Sequence, residues 1–413
     1  MNTIRYGIIG GGFNAAFHLR GIDQVRGIEV GGFLTRSARA AEMIQYCQNH
    51  DLGEPWVYKD VQDMVRDADV ICFFGKHTER VGVMEQIVDA VKAGESLKGL
   101  VCEKPFARNM PEARRMLELV REIDVPNAYF ENQLHMNVVN NCREQLAPVM
   151  QAMGPLLLAR ASEEHSGAHS GWFWDPTIAG GGVLHDMGCH CLAVVWYALT
   201  PLGKDPKFLK PVSVSADIAM LKWGQPRWAE LLKRRYDVDF LKNPAEDFAT
   251  GIVTFENPET GQKVKGQFTS SWMYDNQGLR LYLDGLGAGY AMEMNTLEAP
   301  SRVFISDDAA GSLTDLEAAL EKTTTSRGLL IVQPNEADLY GYVGENKDAQ
   351  DAFANGRPPY LDWEYGAEIE RLVMAAYMSH ERGCTIDLTD EKTSQELESF
   401  IPLVQQGRGA EIL

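Results

Sequence analysis

Three consecutive glycines at the end of an apolar run constrain this chain more than any other feature. Tyr6 to Ile9 has the pattern of a short buried strand, Gly10-Gly11-Gly12 permits a turn that side chains would block, and Phe13 to Arg20 opens a helix. The spacing Gly10-x-Gly12-x-x-Ala15 fits the G-x-G-x-x-G/A fingerprint of dinucleotide binding. Small residues let backbone N–H groups approach a pyrophosphate, and the positive end of the helix dipole favours its charge. Gly10, Gly12, Phe13 and Asn14 are therefore candidate cofactor-binding positions. The same glycines also suit a plain tight connection, and the pattern that follows them decides between the two readings.

That pattern alternates short apolar runs with helix-length segments. Strands are expected at Glu29–Leu34, Val57–Tyr58, Val70–Phe74, Leu100–Cys102 and Ala128–Phe130, with helices at Ala40–His50, Val61–Asp67, Val81–Ala93 and Met110–Ile123. Such alternation predicts a parallel, doubly wound sheet, a Rossmann domain over residues 1–130. The second strand ends in Thr35-Arg36-Ser37, where an NAD site normally places an acidic residue against the ribose 2′-hydroxyl. A hydroxyl and a guanidinium accept a 2′-phosphate by charge-assisted hydrogen bonds, so Thr35, Arg36 and Ser37 favour NADP(H) over NAD(H). Arg36 also suits a solvated loop or a stack on the adenine. His77, in the loop after the Val70–Phe74 strand, lies at the ligand-binding end of such a sheet and joins the candidate cofactor contacts.

Beyond residue 130 the rhythm changes. Asn137–Met153 has helical character interrupted by Pro148, and Leu156–Ala161 is strand-like. Strand patterns recur at Val212–Ile218, Phe248–Phe255, Val264–Trp272, Leu279–Leu283 and Tyr290–Met294, with a late helix at Tyr360–Gly383. The expectation is an α+β domain over 131–413 built on a large, mostly antiparallel open sheet, with Lys222–Asp247 as an inserted loop or lid. A chain of 413 residues exceeds a single compact core, which agrees with two domains. A net charge of −19 argues against nucleic acid and anionic membrane surfaces as partners, and its plain reading is solubility. Seven scattered cysteines suit a reducing compartment, and neither a secretory leader nor an apolar run of membrane-spanning length is expected, so a cytoplasmic protein is predicted.

Three constellations carry chemistry. Glu103-Lys104-Pro105 ends an apolar strand, and a partly buried lysine there can polarise a hydroxyl or carbonyl. A plain surface lysine is the alternative. Gly180-Gly181-Gly182 leads into Asp186 and His190, four apart, which a helix stacks on one face. A carboxylate beside an imidazole suits an acid/base group working near neutral pH; a capping Asp with a core histidine is the bland alternative. His185, Asp186, Cys189, His190 and Cys191 are zinc-ligand types, yet no partner cluster elsewhere completes four ligands, so no metal is expected. The third constellation is Glu163, Glu164, His165, His169, Trp172 and Trp174, whose indoles, imidazoles and carboxylates suit polyhydroxy ligands and equally suit core anchors.

In this order, Gly10-Gly11-Gly12, Glu103-Lys104-Pro105 and Gly181-Gly182-x-x-x-Asp186-x-Gly188-x-His190 resemble the glucose–fructose oxidoreductase/inositol dehydrogenase (Gfo/Idh/MocA) family. The resemblance implies a nicotinamide cofactor, sugar or cyclitol substrates and a homo-oligomer. It implies catalytic roles for Lys104, Asp186 and His190, with Glu103 and Lys104 near the cofactor and Asn132 and Gln133 lining the substrate site. His165, Trp172 and Trp174 are the further candidate substrate contacts. A redox-neutral glycosidase using a tightly held cofactor, and a non-catalytic nucleotide-sensing protein, are the competing readings. Gly75-Lys76-His77 departs from the Thr-Pro-Asn-like turn common in the family.

Overall fold

The computed structural model describes residues 3–275, 278–296, 301–305, 328–332 and 335–413, the strands at 301–305 and 328–332 as backbone alone. The chain forms two compact units, residues 1–136 with 340–370 and residues 137–339 with 371–413. The first is thus discontinuous, whereas the sequence places all of 131–413 in a second domain.

In the first unit, β1 (Ile4–Ile9), β2 (Ile28–Leu34), β3 (Trp56–Val57), β4 (Val70–Phe73), β5 (Gly99–Glu103) and β6 (Asn127–Phe130) form one parallel sheet in the order β3-β2-β1-β4-β5-β6. Strands covered on both faces read as unbroken apolar runs, and β4 and β5 are buried at every position. The strand order reverses beside β1, so the loops after β1 and β4 diverge there, which is where open sheets of this kind bind ligands. Helices α1 (Phe13–Ile22), α2 (Ala40–Asn49), α3 (Val61–Asp67), α4 (Arg80–Lys92) and α5 (Met110–Ile123) connect the strands. α5 shows how local sequence sets a boundary: the Asn109 side chain accepts from Glu112 N at 3.1 Å, Pro111 sits in the first turn, and Asp124 ends the helix at φ 48°. A helix at Tyr342–Asn355, absent from the sequence reading, brings Ala349, Ala352 and Phe353 into the core formed by β1, β2, β4 and α1.

The second unit carries β7 (Leu158–Glu164), β8 (Lys210–Ala219), β9 (Phe248–Glu256), β10 (Lys263–Ser271), β11 (Arg280–Gly287) and β12 (Tyr290–Asn295). With β15 (Ile386–Asp387) they form a sheet in the order β12-β11-β7-β10-β9-β8-β15, antiparallel except for the β7/β10 pair. β13 (Ser301–Ile305) and β14 (Gly328–Val332) pair antiparallel apart from it. α6 (Asn137–Met153) runs through Pro148 without the expected break, because Pro148 and Glu144 are exposed and water can serve the carbonyl that loses its donor. The segment 222–247 is more than a loop: it holds α9 (Pro226–Tyr236), and the Asp247 carboxylate pins its base by accepting from Leu221 N, Lys222 N and Trp223 N at 2.7, 2.8 and 2.6 Å.

The helical stretch Pro176–Leu199 corrects another expectation. It contains the short α7 (Pro176–Ala179) and ends in α8 (Cys189–Leu199), and over 24 residues it is long and apolar enough to cross a membrane. Of its apolar window 89% is buried inside the fold, as a core helix requires. Gly266 on β10 permits the approach, since a Cβ there would lie 2.7 Å from Val195 Cγ2.

Candidate functional site

The first unit gathers the nucleotide candidates at the sheet's switch point. Gly10 has φ 119° and its backbone approaches the end of β4 so closely that a Cβ would lie 2.9 Å from Gly75 N and Phe74 O. Gly11 packs on the end of β2: a Cβ would meet Thr35 Oγ1 at 2.4 Å and Ser37 Cβ at 2.8 Å. Ser37 N donates to Thr35 Oγ1 at 3.0 Å, which sets the turn on which exposed Arg36 stands. Gly12 is different. It is exposed, a Cβ there would meet nothing within 4 Å, and no side chain caps the helix it begins. This is space over a helix N-terminus with no acidic group in the first turn, which fits the pyrophosphate of a dinucleotide. Phe13 and Asn14 open α1 half-buried, and His77 is buried after β4.

Lys104 is half-buried at the end of β5, and its bond to Pro105 is cis. Arg80, only 4% exposed, donates to the carbonyls of Pro105 and Phe106 and so holds this turn from behind. Sequence reasoning missed Arg80, which looks like a surface residue at the head of a helix. Glu103, expected near the cofactor, is 1% exposed and lies 2.8 Å from His18 Nε2. A buried carboxylate needs such a partner, and that need turns it inward. Asn132 and Gln133 are buried, and the Asn132 amide donates to Tyr340 O at 2.7 Å.

The second unit builds the remaining candidates around a glycine segment. Gly180 takes φ 100° after α7, and Gly182 lies against Glu246, where a Cβ would be 2.2 Å from the Glu246 carbonyl oxygen. Fully buried Glu246 accepts through Oε1 from Gly182 N (2.9 Å), Leu184 N (3.0 Å) and Tyr377 Oη (2.6 Å). Burial pushes its carboxyl above the ordinary range, while these donors pull it back. The anchored backbone then makes a π turn at Leu184–Gly188 before α8, so Asp186 lies on the π turn and His190 in the first turn of α8. Single π turns inside helices recur at functional sites.

His165 joins this group from the end of β7. Its Nδ1 accepts from Gly167 N at 2.9 Å, which puts the proton of the neutral ring on Nε2, 4.0 Å from Asp186 Oδ2. The sequence reading treated the two as separate constellations, and the fold unites them. His190 and Glu163 are each 4% exposed. Trp172 is half-buried and packs on Phe173. Trp174 departs from the expected ligand contact: it is 1% exposed, its ring centroid lies 4.8 Å from those of Trp223 and Trp272, and its Nε1 donates to Ala168 O. It is a core anchor, since both its area and its one donor are engaged in packing. Cys189 and Cys191 direct their thiols at the carbonyls of Asp186 and Thr269.

Residues 4–130 match an oxidoreductase family described as having an NAD-binding Rossmann fold, and residues 150–289 match the GFO/IDH/MocA C-terminal domain. The chain belongs to the Gfo/Idh/MocA oxidoreductase family. Among curated relatives, this family member is 27% identical over 222 residues to a 1,5-anhydro-D-fructose reductase of Ensifer adhaerens. That match covers 53% of this chain and 62% of the reductase. Among solved structures, GenD2 from gentamicin A biosynthesis, in complex with NAD, has a TM-score of 0.72 at 18% identity, covering 94% of this chain and 97% of that one. A myo-inositol dehydrogenase of Corynebacterium glutamicum has a TM-score of 0.65 at 16% identity, covering 94% and 99%. At these identities the two structures establish the fold of the family member.

Proposed function

We propose that this protein is an NAD(P)-dependent oxidoreductase acting on a secondary hydroxyl or keto group of a sugar, cyclitol or related polyhydroxy compound. The observation that carries the reading is the open, uncapped helix start at Gly12, with Thr35 and Ser37 packed beside the glycine turn and Arg36 exposed between them. The sugar reductase among its relatives and the cyclitol dehydrogenase among its structural neighbours support the substrate class. When bound, the nicotinamide supplies the hydride acceptor. His190 takes the proton from the substrate hydroxyl, Asp186 with His165 behind it orients that exchange, and Lys104 steadies the negative charge that develops on oxygen. Arg36 with the Thr35 and Ser37 hydroxyls selects the 2′-phosphate of NADP(H). The enzyme works as a cytoplasmic homo-oligomer.

Fluorescence titration with NADPH and NADH, followed by turnover on a panel of sugars and cyclitols, tests this reading. His190→Ala and Lys104→Ala should each retain cofactor binding while turnover falls by at least ~10²-fold, the usual contribution of a positioned acid or base. Failure of both nucleotides to bind the wild type removes the reading, and unchanged turnover in both variants removes the assigned roles.

A further inference from the structure

A set of buried acids in the first unit is left unused by that chemistry. Glu103 at the end of β5, Glu131 just after β6 and Glu345 on the Tyr342–Asn355 helix are each no more than 1% exposed. His18 of α1, wholly buried, stands between two of them: Nε2 is 2.8 Å from Glu103 Oε1 and Nδ1 is 3.8 Å from Glu345 Oε1. Phe74 stacks on the imidazole at 3.8 Å between centroids and 6° between planes, so the ring cannot turn away. Ionised groups this deep persist only when paired or metal-bound, and otherwise neutralise by taking up a proton.

Glu345 supplies the decisive second observation. Its side chain is 0% exposed, and neither carboxylate oxygen has a hydrogen-bond partner. The amide oxygen of the next residue, Asn346, is likewise buried without a donor, while its Nδ2 lies 3.3 Å from His18 Nδ1. Both Glu345 oxygens and the Asn346 amide oxygen are thus buried acceptors with no donor, and a cation is a group that such acceptors bind. One ligand atom each from His18, Glu103 and Glu345 lie within 4.8 Å of one another. Metal bonds of ~2.0–2.2 Å bring such donors to ~3 Å apart, a contraction that rotation of the two glutamate side chains toward the fixed imidazole supplies.

We propose that His18, Glu103 and Glu345 form a binding site for one divalent cation. An imidazole with two carboxylates is a borderline donor set, suited to Zn2+ or Mn2+ better than to Ca2+, which prefers six or more oxygens. The cation ties the helix that follows the glycine turn, the strand end that carries Lys104 and the Tyr342–Asn355 helix to one point. It is a structural site outside the proposed reaction, and it departs from the expectation of no metal drawn from the sequence.

The full-length protein, stripped with EDTA and passed through gel filtration after incubation with Zn2+ or Mn2+, should retain about one equivalent by elemental analysis, with a raised thermal midpoint. Glu345→Gln, nearly isosteric, should drop retention to about a tenth of that or less and abolish the thermal shift, and Glu103→Gln should repeat the result. Nucleotide titration of Glu345→Gln confirms that the variant is folded, and separates failure of this site from failure of the cofactor reading. Wild-type protein that retains neither metal and shows the same thermal midpoint with and without them overturns the proposal. Equal retention by Glu345→Gln overturns it too, because the metal is then held elsewhere.

Discussion

Two glycine-to-alanine changes, chemically identical, should have opposite consequences. At Gly182 a Cβ would lie 2.2 Å from the Glu246 carbonyl oxygen and 2.8 Å from its Cδ, with backbone on one side and a fully buried carboxylate on the other. Neither can yield freely, because Val183 N donates to that carbonyl at 3.0 Å while Gly182 N and Leu184 N donate to Oε1. Overpacking alone costs about 1–3 kcal/mol. Loosening a buried hydrogen bond to a carboxylate adds about 1–3 kcal/mol, so Gly182→Ala should lose about 2–6 kcal/mol in total. At Gly12 a Cβ meets nothing within 4 Å and φ is −91°, so the loss of an N-cap glycine costs at most about 1 kcal/mol. The same methyl should weaken NAD(P)H binding by at least about tenfold, because it fills the space above the helix start. Denaturant unfolding followed by near-UV circular dichroism, paired with nucleotide titration, separates the two effects. A wild-type midpoint for Gly182→Ala, or a Gly12→Ala protein that is destabilised just as strongly, refutes the packing argument.

Arg36→Ala should lower NADPH affinity about tenfold and leave NADH affinity unchanged, a difference worth one charge-assisted hydrogen bond. Equal losses for both nucleotides would assign Arg36 to the adenine. Trp174→Ala should destabilise the fold by about 3–5 kcal/mol, as for other large buried aromatics, with a stability loss that exceeds any change in substrate KM. Because burial raises the Glu246 carboxyl above its reference value of 4.5, the folded chain holds that proton more tightly than the unfolded chain. The stabilisation is therefore complete below the ordinary carboxylate range and is lost as pH rises through the folded value. Glu246→Gln should flatten the fall in unfolding midpoint as pH rises above the ordinary carboxylate range, and an unchanged slope would show that folding does not raise this carboxyl.

The first sheet was legible because each of its strands is a short apolar run closed by a turn or a helix start. The turn at Gly10 was legible because its spacing survives without knowledge of the fold, and the same kind of spacing singled out Lys104, Asp186 and His190, whose roles are proposed above. The Tyr342–Asn355 helix was not, since it buries Glu345, Asn346 and Gln350 alongside alanines, and hydrophobic periodicity has nothing to register there. Arg80 and Glu246 were hidden for a related reason. Each is a charged residue in the interior that serves backbone groups far along the chain, 25 residues away for Arg80 to Pro105 and 64 for Glu246 to Gly182. Trp174 shows the converse: its type in a polar loop matched a ligand contact, and only the positions of Trp223 and Trp272 reveal it as core.

The return of residues 340–370 to the first unit bears on how the chain comes off the ribosome. Gly99 at the start of β5 leaves room for the Phe353 ring, and Ala349, Ala352 and Phe353 complete an interior that β1 and β2 begin. Synthesis therefore makes the opening sheet long before it makes the helix that closes it, and the second unit emerges in the interval. A nascent fragment ending near residue 136 exposes the apolar surface that Phe353 covers and should be caught by chaperones or aggregate. Supplying 340–370 as a separate peptide should rescue that fragment in proportion to how much of the interior the peptide restores.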